Sequence, residues 1–162
     1  MIKCLGIDPG LAETGIGIVF GQDFDIETYA FGNISTPKDL PLPDRLNHIY
    51  DKVLSLIESE KPDLIIVEDV FSLHKYPKSG ITLGKVTGVI LLAAAKAEIP
   101  VLEIPVREAK KILTGNGNAS KSQLESAVRD LLKHPEPIKP DHASDAMALA
   151  IIGQVRYRKE TM

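Results

Sequence analysis

Two short apolar runs, each closed by an acid, set the tightest limit on what this chain can fold into. Cys4-Leu5-Gly6-Ile7 ends at Asp8, and Leu64-Ile65-Ile66-Val67 ends at Glu68. A strand that is apolar at successive positions has no solvent face, so both of its sides must be covered. The covering elements are legible. Leu46, Ile49, Val53, Leu56 and Ile57 fall on one side of a helix over about 44–60. Leu124, Ala127, Val128, Leu131 and Leu132 form a second stripe behind Ser120 and Gln123, which have capping-box spacing. Between 81 and 97 the chain is apolar nearly all round, and a last helix begins at Asp141, which is read as its cap.

Thr14–Phe20 and Asp25–Phe31 predict two further strands around the turn Gly21-Gln22-Asp23, and Val101–Ile104 a short one. Pro105 opens a brief helix that ends at Gly115, and 71–80 reads as a loop. Three strands followed by strands alternating with helices predict a three-layer α/β fold with a mixed sheet flanked by helices. At 162 residues, 44% of them hydrophobic and 25% charged, the chain is expected to be one domain. Its ordered core is expected over about 1–156, with a short C-terminal tail.

Asp8 and Glu68 are the candidate catalytic acids, against the plainer readings of a turn former in Asp8-Pro9-Gly10 and a solvated strand end at Glu68. Each puts a carboxylate at the carboxyl end of a central strand, where α/β proteins place their sites. Asp141-His142-Ala143-Ser144-Asp145 adds a third group, because His142 and Asp145 share a helix face at a spacing of three. Carboxylate oxygens suit hard cations, Mg²⁺ or Mn²⁺. A pair of such ions roughly 3.5–4 Å apart can hydrolyse a phosphodiester. No Walker A motif, Cys-rich zinc spacing or Ser-His-Asp arrangement competes with this set.

Read in order, Gly6-Ile7-Asp8-Pro9-Gly10 with Thr14-Gly15, Glu68-Asp69-Val70-Phe71, Leu83-Gly84, Gly115-Asn116-Gly117 with Lys121, and His142-Ala143-Ser144-Asp145-Ala146 resemble the RuvC family of crossover junction endodeoxyribonucleases. The resemblance implies an RNase H-like fold and a homodimer. It also implies Mg²⁺-dependent, symmetric nicking of two strands of a four-way DNA junction, alongside a branch-migration motor. Carried over by position, the family's catalytic and metal-binding residues fall on Asp8, Glu68, His142 and Asp145. Many members have Asp where this chain has His142, and Asp141 stands one residue off. The expected role of His142 is to orient or deprotonate the attacking water and to shift metal preference toward Mn²⁺.

The formal net charge of −3 does not announce a nucleic-acid binder, but basic residues are clustered. Lys110 and Lys121 match basic positions of the family and are read as DNA-binding. Phe71, three residues after Glu68, suits a core residue closing the strand or a ring that stacks on an unpaired base, and the resemblance implies the second, a DNA-binding role. The 81–97 helix needs a cover on its outer side, which the family's dimer would supply.

A single cysteine, Cys4, and an acid too early for a signal-peptide apolar region predict a soluble cytoplasmic protein. The apolar stretch 86–95 is read as too short to cross a membrane. An RNA-cutting relative, an actin-like nucleotide-binding module and a catalytically dead DNA scaffold are the competing readings.

Overall fold

The computed structural model describes residues 1–69 and 77–161. Five strands form one sheet in the order β3-β2-β1-β4-β5. They are β1 (Ile2–Asp8), β2 (Glu13–Gln22), β3 (Asp25–Ser35), β4 (Leu64–Glu68) and β5 (Val101–Ile104). The first three run antiparallel as a meander, and β4 and β5 add in parallel to β1. The mixed sheet follows from the chain order: tight turns join β1 to β3, while helical crossovers lead to β4 and β5.

Helices α1 (Leu42–Glu60) and α2 (Pro77–Lys96) cover one face of the sheet. The other face carries α5 (Asp141–Thr161), backed by α3 (Val106–Thr114) and α4 (Lys121–Leu132). Strand alternation sorts the core accordingly. Leu5, Ile7, Ile16, Ile18, Ile65 and Val67 meet α1 and α2, whereas Cys4, Val19, Leu64 and Ile66 meet the α5 layer.

On the α5 side, the helix lies almost backbone to backbone on the sheet. A methyl group on Gly6 would sit 2.0 Å from the Ala146 carbonyl oxygen. On Gly15 it would lie 2.0 Å from that of His142, and on Gly17 2.6 Å from the Met147 nitrogen. Any side chain there would push α5 away, so these glycines set its height above the sheet.

The helix termini follow the sequence. Gly115 closes α3 in the left-handed conformation, and Ser120 and Gln123 form a complete capping box on α4. Two local expectations change. The helix expected from about residue 81 already begins at Pro77, a residue suited to the first turn because that turn needs no amide hydrogen. Asp141 is not the cap of α5. The Pro140 carbonyl accepts from the amides of Ala143 and Ser144, which makes exposed Asp141 the first helical residue.

Segment Lys78–Lys96 is also long and apolar enough to cross a membrane by length and composition, further than the stretch 86–95 suggests. Val86, Ile90, Ala93 and Ala94 are nonetheless buried in the core beneath it, and Ile81 and Leu92 stay exposed on its outer side. It is a core helix whose outer side is left uncovered among the described residues.

Candidate active site

Parallel pairing of β1 with β4 aligns Ile7 with Val67, so Asp8 and Glu68 end adjacent strands side by side. Both carboxylates continue the alternation of Cys4 and Ile66 and therefore point to the α5 face. There the close seating of α5 on Gly15 brings its first turn over the strand ends. His142 Nδ1 lies 2.7 Å from Asp8 Oδ2, a contact that spans 134 residues of sequence. Asp145, one turn further on, faces the same space.

The result is a cleft of about 390 Å³ lined by Asp8, Glu68, His142, Asp145, Lys110 and Lys121 together with the 9–13 loop and Leu83. Six of the seven residues singled out from sequence thus share one cavity. The seventh, Phe71, lies outside the described residues. Asp141 does not line the cleft.

Crowded acids raise one another's proton affinity, and burial raises it further. Glu68 is pushed from 4.5 to about 9, first by burial, then by hydrogen bonding to Asp8 and by the charges of Asp8 and Asp145. Asp145 rises to about 6 by burial and the Asp8 charge, with Lys121, His142 and Lys110 opposing. The hydrogen bond to Asp8 raises His142, partly offset by burial. Ionising all of these acids would therefore pack negative charge into the cleft that, among the described residues, Lys110, Lys121 and His142 only partly offset.

That surplus is the test of whether the residues suit a divalent cation, and they do. Three oxygen-donor acids under mutual repulsion are what a hard cation relieves. Among the described residues no three His, Cys, Asp or Glu side chains already close into a finished metal cage. The donors line an open cleft instead, which leaves coordination positions for water and phosphate oxygens.

Sequence reasoning passed over two further acids of the cleft, Glu13 and Asp69. Asp69 adjoins a singled-out acid, and Glu13 opens β2 at the position where β1 ends. The pairing of β1 with β2 would have been signal enough. It also passed over the spacing Gly15-Ile16-Gly17, a period-two glycine pattern that marks close approach of another backbone.

Residues 4–153 match the family model described as "Crossover junction endodeoxyribonuclease RuvC". A protein of that name from Carboxydothermus hydrogenoformans is 40% identical over 152 residues, 94% of this chain and 95% of its own. The protein of that name from Brevibacillus brevis is 38% identical over 150 residues, covering 93% and 90%. The solved structure "T. thermophilus RuvC in complex with Holliday junction substrate" superposes with a TM-score of 0.92 at 27% identity, covering 99% of this chain and 98% of that one. Acids converging at the strand ends of an RNase H-like sheet and a family match over most of the chain agree: the protein belongs to the RuvC family of crossover junction endodeoxyribonucleases, metal-dependent nucleases that cut DNA.

Proposed function

We propose that this protein resolves four-way DNA junctions as a homodimer by paired symmetric nicks, with two Mg²⁺ or Mn²⁺ ions per site held by Asp8, Glu68, Asp145 and His142. The single observation that carries the reading is the convergence of residues 8, 68, 142 and 145 on one cleft. Bound divalent ions supply a Lewis acid for the phosphoryl oxygen and lower the pKa of the attacking water.

The protein's own groups do the rest. Burial and the neighbouring Asp8 hold a proton on Glu68, and releasing it readies both acids as oxygen ligands. His142 Nδ1–H donates to Asp8 and fixes its orientation, which leaves Nε2 free to face an ion and to orient the water bound to it. Lys110 and Lys121 are placed to bind phosphate oxygens of the cut strand. Exposed Ile81 and Leu92, with the open surfaces at Gly84 and Gly88 between them, offer the apolar face on which a second copy docks. Two sites related by a two-fold axis match the symmetry of a junction.

The test is a mobile synthetic four-way junction incubated with Mg²⁺ or Mn²⁺. Asp8→Asn is expected to slow cleavage at least about a thousandfold without loss of fold. His142→Ala is expected to slow it while Asp141→Asn, outside the cleft, does not. Junctions left intact by the wild type under both metals would sink the reading.

A further inference from the structure

The loop that joins Asp8 to β2 is anchored in an unusual way for a cleft wall. Three consecutive carbonyl oxygens, of Gly10, Leu11 and Ala12, are each held from inside the protein. Thr14 Oγ1 donates to the Gly10 carbonyl at 2.8 Å. Thr36 Oγ1 donates to the Leu11 carbonyl, and Thr36 N–H donates to the Ala12 carbonyl at 3.0 Å. Arg45 on α1 locks the second threonine by donating Nε–H to its hydroxyl at 2.9 Å. Both threonines are buried, at 0% and 6% exposure, so these anchors lie behind the loop. A side chain at residue 10 would strike the Glu13 carbonyl, which keeps the turn tight.

In a trans peptide the N–H points opposite to the C=O. Holding the Gly10 and Leu11 carbonyls inward therefore turns the amides of Leu11 and Ala12 outward. Neither amide has an acceptor among the described residues. Both residues line the cleft that holds Asp8. The two lysines of that cleft come from α3 and α4, and the 9–13 loop brings no basic side chain. A polyanionic strand crossing five carboxylates needs donors on this side too, and uncharged amides are the ones present.

We propose that the N–H groups of Leu11 and Ala12 form a phosphate-binding subsite for the cut strand, beside the catalytic acids, with Thr36 as the residue that positions it. The ligand class is a backbone phosphodiester, gripped without reading base identity. This rests on the nuclease reading above and adds a contact to it.

The experiment replaces Ala12 by lactic acid through nonsense suppression, which turns one amide into an ester and deletes its N–H. Leucic acid at position 11 is the second probe. Binding of a four-way junction without divalent metal, and cleavage kinetics with Mg²⁺, are read for each. Each ester is expected to raise Kd and KM roughly tenfold while kcat stays within about twofold. The salt dependence of binding should keep its slope, because no cation is lost, whereas Lys121→Ala should flatten it by about one ion.

The lactic acid ester also weakens the Leu11 carbonyl as an acceptor. Thr36→Val removes that same hydrogen bond but keeps the N–H, and Thr36→Ser restores it. The subsite requires the ester to weaken binding more than Thr36→Val does, with Thr36→Ser close to wild type. Equal losses in ester and Thr36→Val would assign the effect to loop anchoring alone, and wild-type binding by both esters would discard the subsite outright. Should the wild type fail to cut junctions, the binding arm still decides the matter.

Discussion

On one face of the sheet α5 lies against Gly6, Gly15 and Gly17, where even a methyl group would overlap helix backbone. On the other, α1 and α2 stand off on a bed of Leu5, Ile7, Ile16, Ile18, Ile65 and Val67. Both packings are built on buried apolar residues but differ in tolerance. A bed of branched side chains can adjust by rotamer changes when one methyl is lost or gained. A helix resting on glycine cannot adjust, because backbone meets backbone. The face with no slack is the one that carries His142 and Asp145 to Asp8 and Glu68. Height of the helix above the sheet is the quantity this enzyme holds most tightly.

Paired substitutions on the two faces test that claim. Gly15→Ala introduces a methyl 2.0 Å from the His142 carbonyl oxygen and must lift the start of α5. A displacement of about 1 Å at reacting groups costs roughly a hundredfold in rate, so kcat on a junction should fall by that order. Ile49→Val, at a fully buried position on the inner side of α1, is expected to cost about 1 kcal/mol of stability and to leave kcat unchanged. Equal kcat in both variants, measured under conditions where both are folded, would erase the distinction between the faces.

Much of this was readable before any coordinates, and the part that was not has a physical cause. Apolar runs at 4–7 and 64–67 identify central strands because both sheet faces are covered, and their closing acids identify the site edge. Helices with one-sided stripes, at 46–57 and 124–132, were equally plain. The start of α2 was not, because Gly80 and Gly84 dilute its first turns and Pro77 is equally at home in a loop. Nor was the cap of α5, since an Asp at a helix start has the same composition at the cap and one residue inside it. Glu13 escaped because its meaning depends on register, which appears only once β1 and β2 are paired. The amides of residues 11 and 12 carry no side-chain signature at all.

The outer surface of the α1 and α2 layer extends the comparison from packing to assembly. Ile81 and Leu92 are 62% and 51% exposed on a helix whose inner side is sealed. If that back is the seat of a second copy, a change there appears twice per dimer. Leu92→Ala should raise the dimer dissociation constant about 30-fold, allowing roughly 1 kcal/mol per copy. Sedimentation velocity reads the shift directly. Paired nicking should decline with it, while Gly15→Ala leaves the dimer intact.

Charge separates the faces as well. Glu68 and Asp145 have raised pKa values in the folded state, about 9 and about 6, against ordinary values of 4.5 and 3.8. A raised folded pKa contributes stability that is full below the unfolded value and is lost as pH rises through the folded one. Metal-free protein should therefore lose stability progressively from about pH 4 to 9, with His142 adding in the same direction. Divalent cations need the deprotonated acids, so the gain in Tm on adding Mg²⁺ should grow over the same interval, to a few degrees. A gain in Tm that shrinks with rising pH would contradict the placement of the ions among these acids. Ile49→Val should leave this pH dependence alone.

The smallest effect is expected at the far end of α5, where the helix still touches the sheet but no longer serves the site. Gln154 is 1% exposed, and its Nε2–H donates to the Asp23 carbonyl at 2.8 Å and the Asp25 carbonyl at 3.3 Å, bracing the β2–β3 turn. Its Oε1 is buried without a partner among the described residues, a desolvation penalty that offsets much of what the two donors contribute. Gln154→Met keeps the length and removes both the donors and the orphaned oxygen. Stability should change by no more than about 1 kcal/mol. Nine residues of helix, about 13 Å, separate this position from Asp145, so kcat should not move. A large loss of cleavage in Gln154→Met would mean that the turn at 23–25 helps set the height of α5. Control of the active site would then belong to the whole length of the helix rather than to the glycines under its first turns.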